Sequence, residues 1–100
     1  MKITLTPALR QYMQAHRKEA VIVEIAASDS SDFEVTELHP HFTTEKQAAL
    51  FIKRKNFHRL DCDGIPVLLP NYRLEYAEEV IFDLKRIGPF ALVKTEGIGL

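Results

Sequence analysis

The sequence predicts a β-rich α+β domain of seven short strands with one or two helices. Three observations support this class. Short apolar stretches with alternating polarity recur along the chain, two stretches have the periodicity and caps of amphipathic helices, and one Asp-Gly dipeptide marks a tight hairpin. A length of 100 residues leaves room for one domain with a single main core.

The N-terminal part predicts a strand, a helix and a second strand. Residues 2–5 alternate in polarity, which is typical of a half-buried strand. Thr6 is a good helix N-cap, and the proline that follows it needs no N–H at the first helical position. This helix is expected to end near Lys18. The β-branched run at residues 20–27 (AVIVEIAA) then predicts a strand buried on at least one face.

The middle of the chain predicts another strand and a second helix. A polar turn at residues 28–32 (SDSSD) precedes an alternating stretch at residues 33–38, and Pro40 is expected to end its hydrogen-bond ladder. Thr44, with a glutamine three residues later, has the form of a capping box, so a helix is expected from there and should end by Lys55. Its buried side chains are predicted to be Ala48, Phe51 and Ile52.

The clearest local pattern is the hairpin around the Asp-Gly dipeptide at residues 63–64. A two-residue turn places Cys62 opposite Ile65, and the partners that follow give one face that is distinctly more apolar than the other. Two further strands are predicted at residues 80–84 and 90–94, joined by a Gly-Pro turn.

Composition excludes several classes of protein. Thirteen basic and fourteen acidic side chains give a formal net charge of −1. This balance argues against bulk attraction to nucleic acid or to an anionic membrane, but it leaves room for a local patch. No apolar run approaches the roughly 18 residues of a membrane span, and the N-terminal residues have no apolar signal core. We therefore expect a cytoplasmic protein whose partner is neither nucleic acid nor membrane.

Three passages have an order and spacing that point to a known family. They are the strand and cap at residues 2–6 (KITLT), the hairpin at residues 63–69 (DGIPVLL), and the C-terminal series at residues 74–76 (LEY), 80–83 (VIFD) and 88–90 (GPF). In these passages the chain resembles the HesB-like family of A-type iron–sulfur cluster carriers and short HesB-related proteins. The resemblance implies a mixed-sheet pseudobarrel or sandwich over the whole chain, a relation to iron–sulfur cluster biogenesis and, by analogy, a homodimer.

The cysteine ligands of this family are missing here. Its carriers hold iron or a cluster through one cysteine in the loop after the second strand and a Cys-x-Cys pair near the C-terminus. Here the tail at residues 97–100 reads GIGL. The loop, which remains the candidate binding site, consists of Ser28, Asp29, Ser30, Ser31 and Asp32. Serine hydroxyls stay protonated at neutral pH, whereas clusters prefer thiolates, so we do not expect an iron–sulfur cluster.

Two histidines on either side of Pro40 are the best candidate metal ligands. His39 and His41 are two residues apart, so in an extended chain their imidazoles point the same way and could hold zinc, nickel, copper or iron. Glu37 has the same parity and would be a weaker third ligand. Cys62 would contribute from a neighbouring protomer or act as a reactive thiol, although free cysteines are more often buried and inert. Ordinary loop positions are the alternative interpretation of both histidines.

Two charged blocks could contact other molecules. A basic block with interleaved phenylalanines occupies residues 46–59, and an acidic block occupies residues 75–83. They could contact phosphates or pair between protomers, but solvated surface is the plainer interpretation. Phosphate-loop, nucleophile-elbow and His-Glu-x-x-His motifs are absent from the sequence. An enzyme would need a pocket that combines Asp29, one of the histidines and Arg59.

The sequence therefore predicts a non-catalytic HesB-like accessory or binding protein. We expect it to be associated with iron–sulfur cluster biogenesis or thiol-redox machinery through a protein partner, without carrying a cluster itself. The alternative hypothesis is a divalent-metal-binding protein that uses His39 and His41.

Overall fold

The computed structural model describes residues 1–29, 34–54 and 57–99, which form seven strands and two helices. The strands are β1 (Lys2–Leu5), β2 (Ala20–Asp29), β3 (Glu34–Thr43), β4 (Phe57–Cys62), β5 (Ile65–Pro70), β6 (Glu75–Ile87) and β7 (Phe90–Gly99). The helices are α1 (Pro7–Ala15) and α2 (Glu45–Arg54). The predicted β-rich α+β class is confirmed. No helix in these residues is both long and apolar enough to cross a membrane.

The strands form two mixed sheets that share a core. Sheet A has the order β1-β6-β7 and sheet B the order β3-β2-β5-β4. β1 runs parallel to β6 and β2 parallel to β5, whereas the other pairs are antiparallel. Val21 and Val67 of sheet B meet Phe82 of sheet A in one cluster, to which α1 adds Leu9 and Met13. The described strands therefore make a sandwich of two sheets and not a barrel.

Helix α2 covers the outer face of sheet B. Its fully buried Ala48 packs with Ile22 and Leu68, and Phe51 lies at the edge of this second cluster. The observed β4–β5 register is the predicted one. Helix α2 packs against the face of this hairpin that was expected to be less apolar, so both faces are covered. The predicted burial of Ile52 is wrong, since α2 meets the sheet along its Ala48–Phe51 row and leaves Ile52 39% exposed.

Helix α1 begins where the sequence predicted and ends earlier. Thr6 is its N-cap, but the last helical residue is Ala15 and not one near Lys18. Arg17 adopts a left-handed conformation with φ of 53°. The Lys18 N–H then donates to the carbonyl of Met13 at 2.8 Å. This is the hydrogen bond of a Schellman motif, which closes the helix with an arginine where glycine is the usual residue.

Strand β3 continues through Pro40, so the expectation that this proline ends the ladder is wrong. Pro40 pairs with Val23 in the middle of the β2–β3 ladder. Among the described strands β3 lies at an edge of sheet B, and an edge strand accommodates a proline because its missing N–H need not face a partner.

The β6–β7 hairpin extends well beyond the predicted strands. β6 has 13 residues and β7 has 10, so the expected stretches cover only the middle of β6, around the buried Phe82, and the first half of β7. Gly97, with φ of 92°, passes so close to β6 that an added Cβ would lie 2.5 Å from the carbonyl oxygen of Glu79. At the other end, the turn at Gly88 leaves Ile87 and Phe90 exposed.

Candidate functional site

The predicted loop at residues 28–32 is shorter than expected. Ser28 and Asp29 belong to β2, where they pair with Val35 and Glu34 of β3. Placing these two residues in a turn was therefore wrong, because the ladder continues past the apolar run. The remaining members of the candidate loop, Ser30, Ser31 and Asp32, lie outside the described residues.

The two predicted histidine ligands share one face of sheet B, as their spacing indicated. His39 lies opposite Glu24 and His41 lies opposite Ile22. The His41 Nε2 atom is 2.6 Å from a Glu24 carboxylate oxygen, and its Nδ1 is 3.0 Å from the carbonyl oxygen of Phe42. His41 is thus held from both sides of its ring.

The third predicted ligand is also near the pair. Nε2 of His39 lies 3.5 Å from a carboxylate oxygen of Glu37, and both side chains are more than half exposed. Across residues 1–29, 34–54 and 57–99, no three His, Cys, Asp or Glu side chains are grouped closely enough to hold a metal ion. The histidines instead form two separate His–carboxylate contacts.

The histidine pair lies beside a groove between the two sheets. This groove, about 470 Å³ in volume, lies where the edge strands β3 and β7 approach each other. Its lining residues are Leu38, His39, Pro40, His41, Lys85, Leu92, Val93 and Lys94. The lining is therefore apolar with basic and imidazole groups.

Cys62 lies on the opposite face of sheet B from the histidines. Its side chain packs against the main core, whereas Ile22, which pairs with His41, packs under α2. The Cys62 Sγ donates to the carbonyl oxygen of Ile3 at 3.2 Å, bridging β4 and β1. Burial first, and then the charge of Asp63, raise the pKa of the thiol. Within one chain, Cys62 and the histidines cannot bind the same metal ion.

The hypothetical catalytic combination with Arg59 is not assembled. Arg59 binds Glu45 through two contacts of 2.9 and 3.3 Å, and its Nε lies 3.2 Å from Asp61. It lies on β4, at the other edge of sheet B from His41 on β3, with two strands between them. Strands spaced about 4.8 Å apart separate the two backbones by about 14 Å. Arg59 therefore connects β4 to α2.

The sequence interpretation missed a stack of rings and cations beside α1. Tyr12 stacks on His16 at 4.2 Å between ring centroids and on Phe42 at 5.6 Å. Lys18 lies 5.6 Å from the Phe42 centroid, and Arg86 lies 5.8 Å from that of Tyr12. The sequence periodicity of α1 predicted only an amphipathic helix and gave no indication of this ring stack. The contacts from β3 and β6 had no local indication in the sequence.

Comparison with known proteins gives a structural likeness but no sequence match. No protein-family model matches the chain, and no curated protein matches it. Among solved structures, it is similar to Escherichia coli SufA, a protein involved in biosynthesis of iron–sulfur clusters. The TM-score is 0.49 and the sequence identity 14%, with 96% of this chain and 80% of that chain covered.

Proposed function

We propose that this chain is a non-catalytic binding protein that associates with iron–sulfur cluster biogenesis and carries no cluster itself. The observation that supports this most directly is the environment of Cys62, the one cysteine in the sequence. Its thiol donates to the Ile3 carbonyl oxygen, and burial raises its pKa, so it stays protonated at neutral pH. Iron–sulfur clusters are held by several thiolates, and one protonated thiol is a poor substitute.

The link to cluster biogenesis rests on the three sequence passages that resemble HesB-like carriers. A protein with that scaffold and without the family's cysteines would act by binding a component of the assembly machinery. Small domains of this kind bind partners through exposed edges and loop ends, because their buried residues are committed to the core.

Reconstitution tests the absence of a cluster. Tag-free protein is incubated anaerobically with ferrous iron, sulfide and a thiol reductant, and iron and acid-labile sulfide are then measured per chain. We expect wild type and Cys62→Ser to retain equal, background amounts. Stoichiometric iron and sulfide that Cys62→Ser loses would identify a carrier with cysteines shared between subunits and would overturn the proposal.

Calorimetric titration tests the association. Purified scaffold and cysteine desulfurase proteins of iron–sulfur assembly, from the same organism as the chain, are titrated separately into it. We expect saturable binding to one of them. No heat of binding to either would contradict the proposed association, while leaving the reconstitution result intact.

Divalent-metal binding at His39 and His41 is the second candidate function. The observation in its favour is that two imidazoles and two carboxylates share one face of β2 and β3. The Nδ1 of His41 lies 3.0 Å from a backbone carbonyl, which is the outer contact that orients many metal-binding histidines. A metal ion between His41 Nε2 and Glu24 would have to widen their 2.6 Å contact, since each metal–ligand bond is about 2.1 Å long.

A zinc titration with paired variants tests this candidate. Because no three ligating side chains of the described residues are grouped in this structure, the candidate requires the two His–carboxylate pairs to close around the ion. If they do, wild type binds one Zn²⁺ and the double substitution His39→Ala/His41→Ala loses it. His58→Ala is the matched control. His58 is an exposed histidine that contacts Asn71, and it lies on β4, at the opposite edge of sheet B from His39 and His41. Equal zinc binding by wild type and the double variant, or equal loss in the control, would exclude the site.

A further inference from the structure

The far end of the β6–β7 hairpin carries a group of exposed apolar side chains, here called the apolar tip (Ile87, Phe90 and Leu92). Ile87 and Phe90 lie directly opposite each other and are 51% and 67% exposed, and Leu92, on the same face, is 47% exposed. Residues 85–90 are all exposed, whereas Phe82 is fully buried. The hairpin end therefore extends beyond the core.

Every charged side chain in residues 84–93 is basic. Lys85 lies opposite Leu92, and Arg86 occupies the position between Lys85 and Ile87. At about 3.3 Å per residue, Lys85 lies about 7 Å behind Ile87 along the strand. The nearest carboxylate on β6 is Asp83, which already accepts hydrogen bonds from Thr6 and from the Leu84 N–H. Ile87 and Phe90 thus come first along the hairpin, the basic groups follow at and just before the level of Leu92, and only then comes a carboxylate.

We propose that the apolar tip inserts into an anionic lipid surface. Apolar side chains of interfacial segments enter the boundary between headgroups and acyl chains to a depth of about 5–10 Å. The distance from Ile87 to Lys85 matches this depth, so the ammonium group of Lys85 lies at the level of the lipid phosphates when the ring of Phe90 is buried. Arg86 lies on the other face of the hairpin, over the Tyr12 ring, so Lys85 is the cation that faces the lipid on the side of the apolar tip.

The net charge of the chain does not oppose this. A net charge of −1 is a sum over all residues, whereas attraction to a surface depends on the charges nearest to it, within a Debye length of about 8–10 Å. The sequence-based expectation of no membrane partner rested on that sum and on the lack of a membrane-spanning apolar run, and it left room for a local patch of this kind. A second copy is a poorer occupant of the apolar tip, because two apolar tips in contact would bring the Lys85 side chains of both copies, which lie on the same face, close together.

Vesicle sedimentation tests this inference. The full chain is mixed with phosphatidylcholine vesicles, with or without phosphatidylglycerol, at low and high salt. We expect binding to the phosphatidylglycerol vesicles that weakens with salt. Phe90→Ser should lower the association constant roughly tenfold or more, and Lys85→Glu should lower it as well. Both variants should keep the wild-type unfolding midpoint, since these side chains are exposed.

Tyr72→Ser is the matched control. Tyr72 is 65% exposed, close to the value for Phe90, and precedes β6 at the end opposite the apolar tip. We expect its vesicle binding to equal that of wild type. No wild-type binding at low salt, equal binding to both kinds of vesicle, or an equal loss in Tyr72→Ser would overturn the proposal. If Phe90→Ser instead dissociates a dimer and vesicles do not bind, the apolar tip covers a second copy and the proposal is wrong.

Discussion

Substituting Thr6 by alanine removes two hydrogen bonds of different kinds. The Thr6 hydroxyl oxygen accepts from the Leu9 N–H at 3.3 Å, which caps α1. The same hydroxyl donates to Asp83 Oδ1 at 2.7 Å, which ties the start of the helix to β6. Thr44 is a matched residue at the start of α2, since its hydroxyl oxygen accepts from the Gln47 N–H at 3.1 Å. The contact with Asp83 distinguishes the two caps.

The expected magnitudes follow from the capping bonds. Loss of an N-cap threonine lowers the free energy of unfolding by about 0.5–2 kcal/mol. We expect about 1 kcal/mol for Thr44→Ala, and a loss toward the upper end of that range for Thr6→Ala, because its second bond is partly buried. In a domain of this size each kcal/mol shifts the melting temperature by roughly 4–8 °C, so the Thr6→Ala midpoint should fall by about 8–16 °C.

The difference between the two variants should depend on pH. The hydrogen bond from Thr6, and then the one from the Leu84 N–H, lower the pKa of Asp83. The unfolded pKa is about 3.9. Because the pKa of Asp83 is lower in the folded than in the unfolded chain, the ionised carboxylate stabilises the fold at pH values above the unfolded pKa. This stabilisation is lost as the pH falls through the folded-state pKa. The excess destabilisation of Thr6→Ala should therefore shrink in acid.

Urea unfolding at neutral pH and through the acid range measures these effects. Thr6→Ser is the control, because serine keeps the hydroxyl and should retain both bonds. Equal losses for Thr6→Ala and Thr44→Ala at neutral pH would refute the reasoning. So would a difference between them that does not change with pH, because the tie between α1 and β6 would then not involve the Asp83 carboxylate.

Three further predictions concern single positions. Arg17→Gly should raise the free energy of unfolding, measured by urea denaturation, by up to about 1 kcal/mol, because glycine adopts the φ of 53° without strain. A loss of stability would contradict this. Gly97→Ala should lower the unfolding midpoint more than Gly88→Ala, since only at Gly97 would the new Cβ meet a backbone atom, the Glu79 oxygen; equal losses would contradict this. Cys62 should react with a disulfide reagent at pH 7 more slowly in the folded chain than in urea, because burial raises its pKa; equal rates would refute this.

The elements with local determinants were predictable from the sequence. The Asp-Gly turn set the β4–β5 register, since a two-residue loop leaves only one pairing of its flanking residues. The caps at Thr6 and Thr44 were also predictable, because each bonds to an N–H three residues away. In each case the hydrogen-bond partner lies within a few residues along the chain, so a short stretch of sequence contains both groups that form the contact.

Features set by neighbouring strands were not predictable in this way. Pro40 remains within β3 because that strand lies at an edge of sheet B, and edge position is a property of the assembled sheet. The last turn of α1 ends at a left-handed Arg17, although arginine is an ordinary helix-forming residue. The burial of Leu68 under α2 likewise depended on which sheet face the helix would cover.

The candidate site shows the same division between local and tertiary information. The spacing of His39 and His41 correctly placed both on one face, because side chains alternate along a strand. It could not show that Glu24 would face them, since that contact depends on the β2–β3 register. Nor could it show that Cys62 would lie on the opposite face of sheet B, because that depends on which hairpin face packs against sheet A.

The length of the β6–β7 hairpin links the fold to both proposals. A sandwich of two small sheets buries only the central residues of its longest strands, here Val80 and Phe82, so strand ends beyond the core can vary without loss of core packing. Exposed strand ends normally carry polar side chains, so apolar side chains at such an end indicate contact with another molecule or surface. Ile87 and Phe90 occupy one of these ends, whereas the one thiol is half-buried between β1 and β4. The thiol is thus directed inward while apolar groups are exposed at the hairpin end, which supports both the proposed binding to a surface and the proposed lack of a cluster.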